Sequence, residues 1–222
     1  MRSVQDLTPT EFVFIRHGET DWNRQQRFQG QIDVPLNAAG QRQAERLRRR
    51  LAAERADVLV CSDLLRTRQT AAPLAAAWGL DPLHEPGVRE QAFGVLEGLD
   101  VPTIKARHPD LWADWLVHRA DFALPGGESI RQFHARVLQA VQALARAHAD
   151  HTVAVVTHGG VLDMLWRSAK ALPLDGLRAC EIPNTGINRL RWQDGALIVD
   201  LWADAAHLVG LGEQPSTAAG ER

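Results

Sequence analysis

The chain has 222 residues, which is enough for one sizeable domain and short for two. Apolar residues make up 45% and charged residues 23% of it, an ordinary balance for a soluble globular protein. A net charge of −2 argues against nucleic acid or an anionic membrane as the main partner. The first ten residues lack the apolar core of a signal peptide, and no apolar run approaches the ~20 residues of a membrane span. We therefore expect a cytoplasmic protein.

Three short apolar runs predict strands that are buried on both faces, as in a parallel sheet. They are FVFI (12–15), VLV (58–60) and VAVV (153–156). Helical patterns lie between them, because apolar residues recur every three to four positions after the candidate N-cap Asn37 and again from Glu128 onward. Strands that alternate with helices predict an α/β fold.

The segment DLLRTRQTAAPLAAAWG predicts a further helix that ends near Gly79, with Pro73 as a kink or a break. Near the end of the chain, Asp194-Gly195 lies between two stretches of period-two character and predicts a β-hairpin. The expected fold is thus a three-layer α/β/α sandwich with a mostly parallel, mixed central sheet.

The whole chain, 1–222, is interpreted as a single domain with its core at about 11–203. Residues 98–126 fit the alternation least well and indicate an insertion or lid, with two tryptophans, Trp112 and Trp115, on a short helix. The tail, 211–222, is small and polar, and it is predicted to be disordered.

Charged or titratable residues stand at the end of each predicted strand, where an open α/β sheet binds its ligands. The first strand ends at Arg16 and His17, the second is followed by Arg66, and the third by His158. Gly159 comes next, at a predicted helix start, and exposed amides there favour an anion. Two arginines, two histidines and a helix N-terminus indicate a binding site for a dianionic phosphate.

Two other kinds of site fit these residues less well. A metal site is disfavoured, because Arg16 and Arg66 would lie beside the cation and no HxH or HExxH spacing occurs. A thiol phosphatase on Cys61 requires five residues between cysteine and arginine, and here there are four. Cys61 is therefore interpreted as a packed thiol at a strand end.

The motif RHGETDWN resembles the signature of the histidine phosphatase superfamily, the phosphoglycerate-mutase-like enzymes. The resemblance continues in the same order through FQGQIDVPLNAAGQRQA, SDLLRTRQTA, VREQAFGVLEG, PGGES, THGG and NTGINRL, over roughly residues 12–202. It implies a nucleophilic His17 that becomes phosphohistidine. It also implies that Glu90 donates a proton, and that Arg16, Arg66 and His158 hold the phosphoryl oxygens. In-line phosphoryl transfer needs stabilised charge on those oxygens, which the two guanidinium groups and a protonated His158 can supply.

The same resemblance implies further residues that line the phosphate and substrate pocket. These are Thr20, Asn23, Gln29, Gly30, Arg68 and Gly159. It implies no cofactor and no metal, since the arginines neutralise the phosphate. It also makes a homodimer a candidate assembly.

The expected function is hydrolysis of a small phosphorylated metabolite by a metal-independent phosphomonoesterase, a histidine acid-type phosphatase. A 2,3-bisphosphoglycerate-dependent phosphoglycerate mutase would share the pocket and is the main alternative. A regulator that binds a phosphorylated ligand without turnover is the less favoured one. Sugar phosphates, phosphoglycerates, nucleotide-like phosphates and α-ribazole phosphate all stay open as substrates.

Several other residues are expected to have no role in the chemistry. Glu97 is expected to be a surface or capping carboxylate, and His118 is grouped with the histidines that are merely solvated or satisfied. Trp112 and Trp115 are expected to be core residues of the insertion, with a substrate platform as a second role that stays open.

Overall fold

The computed structural model describes residues 9–178 and 180–212. Their strands are β1 (Thr10–Arg16), β2 (Val58–Cys61), β3 (Leu83–His84), β4 (Thr152–Thr157), β5 (Ile187–Gln193) and β6 (Ala196–Asp204). They form one sheet in the order β3-β2-β4-β1-β5-β6. The first four strands of this order run parallel, whereas β5 pairs antiparallel with β1 and β6 pairs antiparallel with β5. The predicted mixed, mostly parallel sheet is confirmed.

Helices cover both faces of this sheet. They are α1 (Asp21–Arg24), α2 (Ala38–Arg50), α3 (Leu65–Trp78), α4 (Val101–Arg107), α5 (Pro109–Leu116), α6 (Ile130–Ala147) and α7 (Gly159–Ala169). Asn37 caps α2 through its side chain, which accepts from the backbone N–H of Gly40, as its sequence position predicts. None of the described helices is long and apolar enough to cross a membrane.

Alternate residues of β1 pack into two different cores, one on each face of the sheet. Phe12 and Phe14 belong to the core beneath α6 and α7, whereas Val13 and Ile15 belong to the core beneath α2 and α3. All four are buried, since successive side chains of a strand point to opposite faces. This explains why the strand is a continuous apolar run, and it establishes the three layers.

The helix α3 is continuous through Pro73 and ends at Gly79, which adopts the left-handed conformation with φ +64°. The expected break at Pro73 is therefore wrong. Proline provides no N–H for the carbonyl four residues earlier, but the loss of this one hydrogen bond does not end the helix. The helix persists because Ala71, Leu74 and Trp78 pack against the sheet on either side of the proline.

Residues 98–126 contain two short helices, α4 and α5, where the sequence predicted one. They have a separate apolar core in which Trp112 and Trp115 pack around Phe28 and Phe93. The prediction that both tryptophans are core residues of the insertion is confirmed. The predicted hairpin forms at Asp194-Gly195, between β5 and β6. Most of the tail predicted to be disordered, residues 213–222, lies outside the described residues.

Candidate active site

The ends of three adjacent parallel strands bring the predicted phosphate-binding residues together. In the order β2-β4-β1, these strands are followed by Ser62, His158 and His17. The backbone N–H of His17 donates to the carbonyl of Thr157 at 2.8 Å, which continues the β1–β4 pairing by one residue. The two histidine rings lie with their centroids 5.3 Å apart. The sheet itself thus fixes the distance between the two imidazoles.

A single hydrogen bond fixes the tautomer of His17. Its Nδ1 lies 2.7 Å from the carbonyl oxygen of Gly18. A carbonyl only accepts, so Nδ1 carries the proton and Nε2 keeps a lone pair. The backbone around the ring is held as well, because the Nδ2 of Asn184 donates to the carbonyl of His17 at 2.9 Å and Thr70 Oγ1 accepts from the N–H of Gly18 at 2.9 Å.

The surroundings of His17 keep its imidazole neutral. Burial lowers its pKa well below the ordinary value, and the positive charges of Arg66 and Arg16 lower it further. The His17 side chain is therefore in its nucleophilic form at neutral pH, and no general base is needed to deprotonate it.

Both arginines are held by backbone carbonyls. Arg66 is fully buried and donates from Nη1 to the carbonyl of Ile32 at 2.9 Å and from Nη2 to that of Gly30 at 2.7 Å. Arg16 is 4% exposed and donates from Nη1 to the carbonyl of Ile182 at 2.7 Å. Gly30 thus positions Arg66 through its carbonyl. A buried guanidinium oriented in advance suits the recognition of phosphoryl oxygens.

His158 is fully buried, and its Nε2 lies 2.9 Å from the hydroxyl of Ser62. Burial lowers its pKa well below the ordinary value, and the positive charges of Arg66 and Arg16 act in the same direction. Burial and the two arginines thus favour a neutral His158 in the protein alone, and its protonation during phosphoryl transfer stays a prediction. Only an added negative charge, such as that of a phosphate dianion, favours its protonation.

Glu90 lies at the N-terminus of α7, next to the phosphate-binding residues. Its Oε2 accepts from the N–H of Gly160 at 3.1 Å, and its Oε1 accepts from the N–H of Gln91 at 2.9 Å. A Cβ at position 160 would lie 2.1 Å from Glu90 Oε1, so only glycine allows the carboxyl group this close to the helix. Gly159, the first residue of α7, contributes an N–H that has no acceptor within the helix.

The loop that carries Glu90 is fixed by an ion pair between Glu128 and Arg136. The guanidinium donates to the Glu128 carboxylate at 2.7 and 2.8 Å, to the carbonyl of Gly87 at 2.9 Å and to that of Glu90 at 3.2 Å. Glu128 in turn accepts from the N–H of Ala92 at 3.0 Å. Sequence reasoning missed this role, since it names Glu128 only as the start of a helical pattern and does not single out Arg136.

The remaining predicted pocket residues lie farther out along the same edge. Thr20 is buried, and its hydroxyl lies 3.0 Å from both Asn23 Oδ1 and Gln29 Oε1. Arg68 is exposed, and its guanidinium lies 3.7 Å from the carboxylate of Asp33. The structure therefore places Arg68 at the rim, whereas Thr20 and Gln29 belong to the buried wall.

Glu97 is half-buried beside this wall, and of its two expected roles, surface or capping carboxylate, it has the one that accepts from backbone N–H groups. Its Oε1 accepts from the backbone N–H of Phe93 at 2.9 Å and of Gln31 at 3.1 Å. A Cβ at Gly30, which has φ +50°, would lie 2.0 Å from the same oxygen. Glu97 thus joins the loop that holds Arg66 to the loop that carries Glu90. The sequence gives no sign of this, because the two loops are about sixty residues apart.

A narrow cleft of about 50 Å³ lies beside Glu90 and Gly160. Trp115 and Phe133 give it apolar walls, and His118 and Arg178 are among its polar lining residues. His118 is 8% exposed and lines this cleft, so it is not a solvated surface histidine, and its lack of a role in the chemistry stays a prediction.

No three histidine, cysteine, aspartate or glutamate side chains within 9–178 and 180–212 come together in an arrangement that would hold a metal ion. Ser62, Thr70 and Asn184 are the site residues that sequence reasoning left without a role. Each lies inside a quoted motif, SDLLRTRQTA or NTGINRL, which was the available signal.

Comparison with known proteins agrees with this geometry. The chain is 34% identical to the phosphoglycerate mutase-like protein 4 of Arabidopsis thaliana, over 98% of this chain and 95% of that one. It is 34% identical to the metal-independent phosphoserine phosphatase of the same plant, over 91% and 85%.

Two solved structures share the fold. YhfR of Bacillus stearothermophilus is 30% identical with a TM-score of 0.84, over 90% of this chain and 99% of that one. A mycobacterial glucosyl-3-phosphoglycerate phosphatase is 30% identical with a TM-score of 0.76, over 87% and 98%. Residues 12–205 match the family described as the histidine phosphatase superfamily (branch 1). The chain belongs to that superfamily.

Proposed function

We propose that the protein is a phosphomonoesterase that hydrolyses a small phosphorylated metabolite through a phosphohistidine on His17, without a metal ion. The observation that carries the proposal is the hydrogen bond from His17 Nδ1 to the Gly18 carbonyl, at 2.7 Å. It leaves the Nε2 lone pair as the nucleophile, beside two buried arginines. Relatives described as phosphatases support the hydrolase reading.

The first half of the reaction transfers the phosphoryl group to the protein. Nε2 of His17 attacks phosphorus, the bond between phosphorus and the ester oxygen breaks, and the departing alkoxide takes a proton from Glu90. The guanidinium groups of Arg16 and Arg66 stabilise charge on the equatorial oxygens, as positioned donors do in phosphoryl transfer. His158 adds a donor once the dianion favours its protonation.

The second half returns the protein to its starting state. Water gives a proton to the Glu90 carboxylate as its oxygen attacks phosphorus, and the bond between phosphorus and His17 Nε2 breaks. Inorganic phosphate then leaves. Glu90 is suited to both roles because it lies at the junction of the phosphate-binding residues and the cleft.

The main alternative is a phosphoglycerate mutase, since several relatives carry that name in their descriptions. A mutase must protect its phosphohistidine from water and attract a second phosphoryl group. The segment 98–126 offers no excess positive charge for that purpose, because it holds three basic residues against four acidic ones. This charge balance favours hydrolysis of the phosphohistidine over transfer of its phosphoryl group back to a substrate hydroxyl.

The distinction is tested by supplying 3-phosphoglycerate with catalytic 2,3-bisphosphoglycerate, and measuring 2-phosphoglycerate and inorganic phosphate in the same reaction. We expect phosphate release to exceed interconversion. Rapid interconversion with negligible phosphate release would replace phosphatase by mutase and leave the site residues in place. Tight binding of phosphorylated ligands, with no turnover on a broad panel of phosphomonoesters, would instead identify a regulator.

Trapping of the intermediate tests the mechanism itself. A rapid acid-free quench with phosphorus-labelled substrate is expected to yield an acid-labile, alkali-stable adduct on His17. Label on Cys61 or Ser62 would contradict the mechanism. Activity is expected to persist in EDTA, and orthovanadate is expected to inhibit as a transition-state mimic.

A further inference from the structure

Ser62 places a buried hydroxyl next to the second histidine of the site. Its Oγ lies 2.9 Å from Nε2 of His158, and both residues are fully buried. The backbone of Ser62 is fixed without this hydroxyl, because its N–H donates to the carbonyl of Val156 at 3.0 Å and its carbonyl accepts from Thr67 Oγ1 at 2.7 Å. The hydroxyl is therefore not needed to hold the end of β2, and its contact with the imidazole has another role.

The direction of the hydrogen bond between Ser62 and His158 follows from the donors and acceptors around the hydroxyl. The backbone N–H of Leu64 donates to Ser62 Oγ in a long contact of 3.5 Å, and among the described residues the acceptor in reach of the hydroxyl hydrogen is His158 Nε2. If the hydroxyl donates, Nε2 holds a lone pair and a neutral ring carries its proton on Nδ1. The opposite direction would leave a buried hydroxyl hydrogen without an acceptor, which costs free energy.

A second serine–histidine pair in the chain has the opposite direction. Nε2 of His134, on α6, lies 2.7 Å from Oγ of Ser168, on α7. The Ser168 hydroxyl donates to the backbone carbonyl of Met164 at 2.9 Å, so its hydrogen is already used. Its oxygen therefore accepts from His134, and a neutral His134 carries its proton on Nε2. The two pairs differ in the acceptor that is offered to the hydroxyl, and this difference predicts different tautomers.

The position of Ser62 also orients the ring of His158. The strand order β2-β4-β1 places Ser62 and His17 on opposite sides of His158, so a ring that gives Nε2 to Ser62 turns Nδ1 away from β2. Nδ1 has no hydrogen-bond partner within the described residues, and the His17 ring centroid lies 5.3 Å from that of His158. The oxygens of a phosphoryl dianion only accept hydrogen bonds. Only a proton on Nδ1 therefore lets this nitrogen stabilise a phosphoryl group that is transferred to His17.

Ser62 and His158 are not arranged as a nucleophile and its general base. A serine nucleophile gives its proton to the imidazole, and a carboxylate on the other ring nitrogen then stabilises the imidazolium. Within the described residues no carboxylate contacts Nδ1 of His158, and the charges of Arg16 and Arg66 disfavour an imidazolium in the protein alone. Ser62 is thus expected to act on His158 and not on phosphorus.

We propose that Ser62 is a positioning residue that holds His158 with a proton on Nδ1, so that this nitrogen is a donor to the phosphoryl group. The proposal rests on the proposed phosphatase activity and adds a residue to it. In the neutral ring, the Ser62 hydroxyl donates to Nε2. When a bound dianion favours a second proton, this proton enters at Nε2, and the Ser62 oxygen accepts from it. The Nδ1–H donor is kept in both states, because a serine hydroxyl can take either role.

Proton–nitrogen NMR of the histidine-labelled protein at about pH 8, where histidines are neutral, reads the tautomers directly. We expect the Nδ1–H form for His158 and the Nε2–H form for His134 in one spectrum, with signals assigned by their loss in His158→Asn and His134→Asn. Ser62→Ala is expected to convert His158 wholly or partly to the Nε2–H form and to leave His134 unchanged. Ser168→Ala is the matched control and is expected to alter the signals of His134 alone.

Hydrolysis rates connect the tautomer to catalysis. Ser62→Ala is expected to lower kcat about 10- to 100-fold, by a similar factor for alkyl phosphates and for p-nitrophenyl phosphate, because the weakened donor acts on the phosphoryl group and not on the leaving group. Ser62→Thr keeps a hydroxyl and is expected to restore the tautomer and most of the activity. Ser168→Ala is expected to leave kcat unchanged.

Three results would overturn the proposal. They are an Nε2–H form of His158 in the wild type, a loss of activity in Ser62→Ala with the tautomer unchanged, and phosphoryl label on Ser62. The first is read on the wild type, so it does not depend on the folding of a variant. A wild type that hydrolyses no ester, with His158 in the Nδ1–H form and inorganic phosphate bound about 10-fold more weakly by Ser62→Ala, would refute the phosphatase and keep the positioning role. No hydrolysis together with unchanged phosphate binding would refute both.

Discussion

The phosphate-binding residues and the cleft beside Glu90 are built in different ways. Arg16, His17 and His158 stand at or next to strand ends, and backbone hydrogen bonds fix the strands beneath them. The cleft is assembled from α5, α7 and the loop after α7, and several of its polar atoms have no partner within the described residues. The first region is held by the hydrogen bonds of the sheet, whereas the second is held by contacts between helices and loops. Substitutions in the two regions should therefore have different signatures.

The largest effect is expected at His17. His17→Ala removes the attacking nitrogen, so turnover should fall by roughly 10⁴-fold or more on every substrate, and the phosphoprotein should disappear. The measurement is steady-state hydrolysis of p-nitrophenyl phosphate together with phosphorus labelling. Retention of labelled protein in this variant would place the nucleophile elsewhere.

Glu90→Gln is expected to have a large effect that depends on the leaving group. Alkyl phosphates should lose about 10²- to 10⁴-fold in kcat, because their alkoxides need a proton to depart. The loss should be much smaller for p-nitrophenyl phosphate, since its phenolate departs without one. Glutamine preserves the size of the side chain, so equal losses on both classes of ester would assign the acid role to another residue.

A substitution in the ion pair between Glu128 and Arg136, beneath the Glu90 loop, is expected to lower activity by an intermediate amount. Glu128→Gln weakens the contacts to Arg136 and to the N–H of Ala92, so the carboxyl group of Glu90 should be held less well. We expect kcat on alkyl phosphates to fall about 10-fold, in the range that small displacements of a catalytic group produce. The variant should show the same leaving-group dependence as Glu90→Gln, and Glu45→Gln on the exposed face of α2 serves as control. A loss independent of the leaving group would separate Glu128 from Glu90.

Stability is expected to respond to pH through the buried histidines. Folding lowers the pKa of His17 and His158, so the unfolded chain binds more protons than the folded one below about pH 6.5. The free energy of unfolding should therefore decrease as the pH falls from 7 toward 5, by at most about 1.4 kcal/mol per pH unit for each such group. Urea denaturation at several pH values measures it. Added phosphate should reduce the slope, because the dianion favours protonated His158, and an unchanged slope would contradict that role.

The smallest effect on activity is expected at Arg68, at the rim of the candidate site. Arg68 is exposed and pairs with Asp33 at 3.7 Å, so Arg68→Gln should change kcat/KM only a few-fold and mainly through KM. A large loss in kcat would mean that Arg68 reaches the phosphoryl group in the complex. The proposed homodimer stays a prediction, and light scattering across a concentration series is its direct measurement.

The sequence by itself determined the sheet and the phosphate-binding residues. Continuous apolar runs identify strands buried on both faces, and residues that follow parallel strands must meet at one edge. Arg16, His17 and His158 were predictable for this reason. The motif NTGINRL could be recognised in the sequence, but the role of its Asn184 could not. Asn184 donates to the backbone carbonyl of His17, and this contact exists only in the folded chain.

Only the tertiary structure decided the contacts between segments that are distant in the chain. Glu97 joins two loops, Glu128 and Arg136 fix the loop of Glu90, and His118 faces the cleft from the insertion. None of these residues follows a strand or repeats with a helical period, so local patterns carry no information about them. The sequence could not predict the protonation state of His158 either. Burial and two arginines lower its pKa, and these surroundings arise only when the strand ends come together.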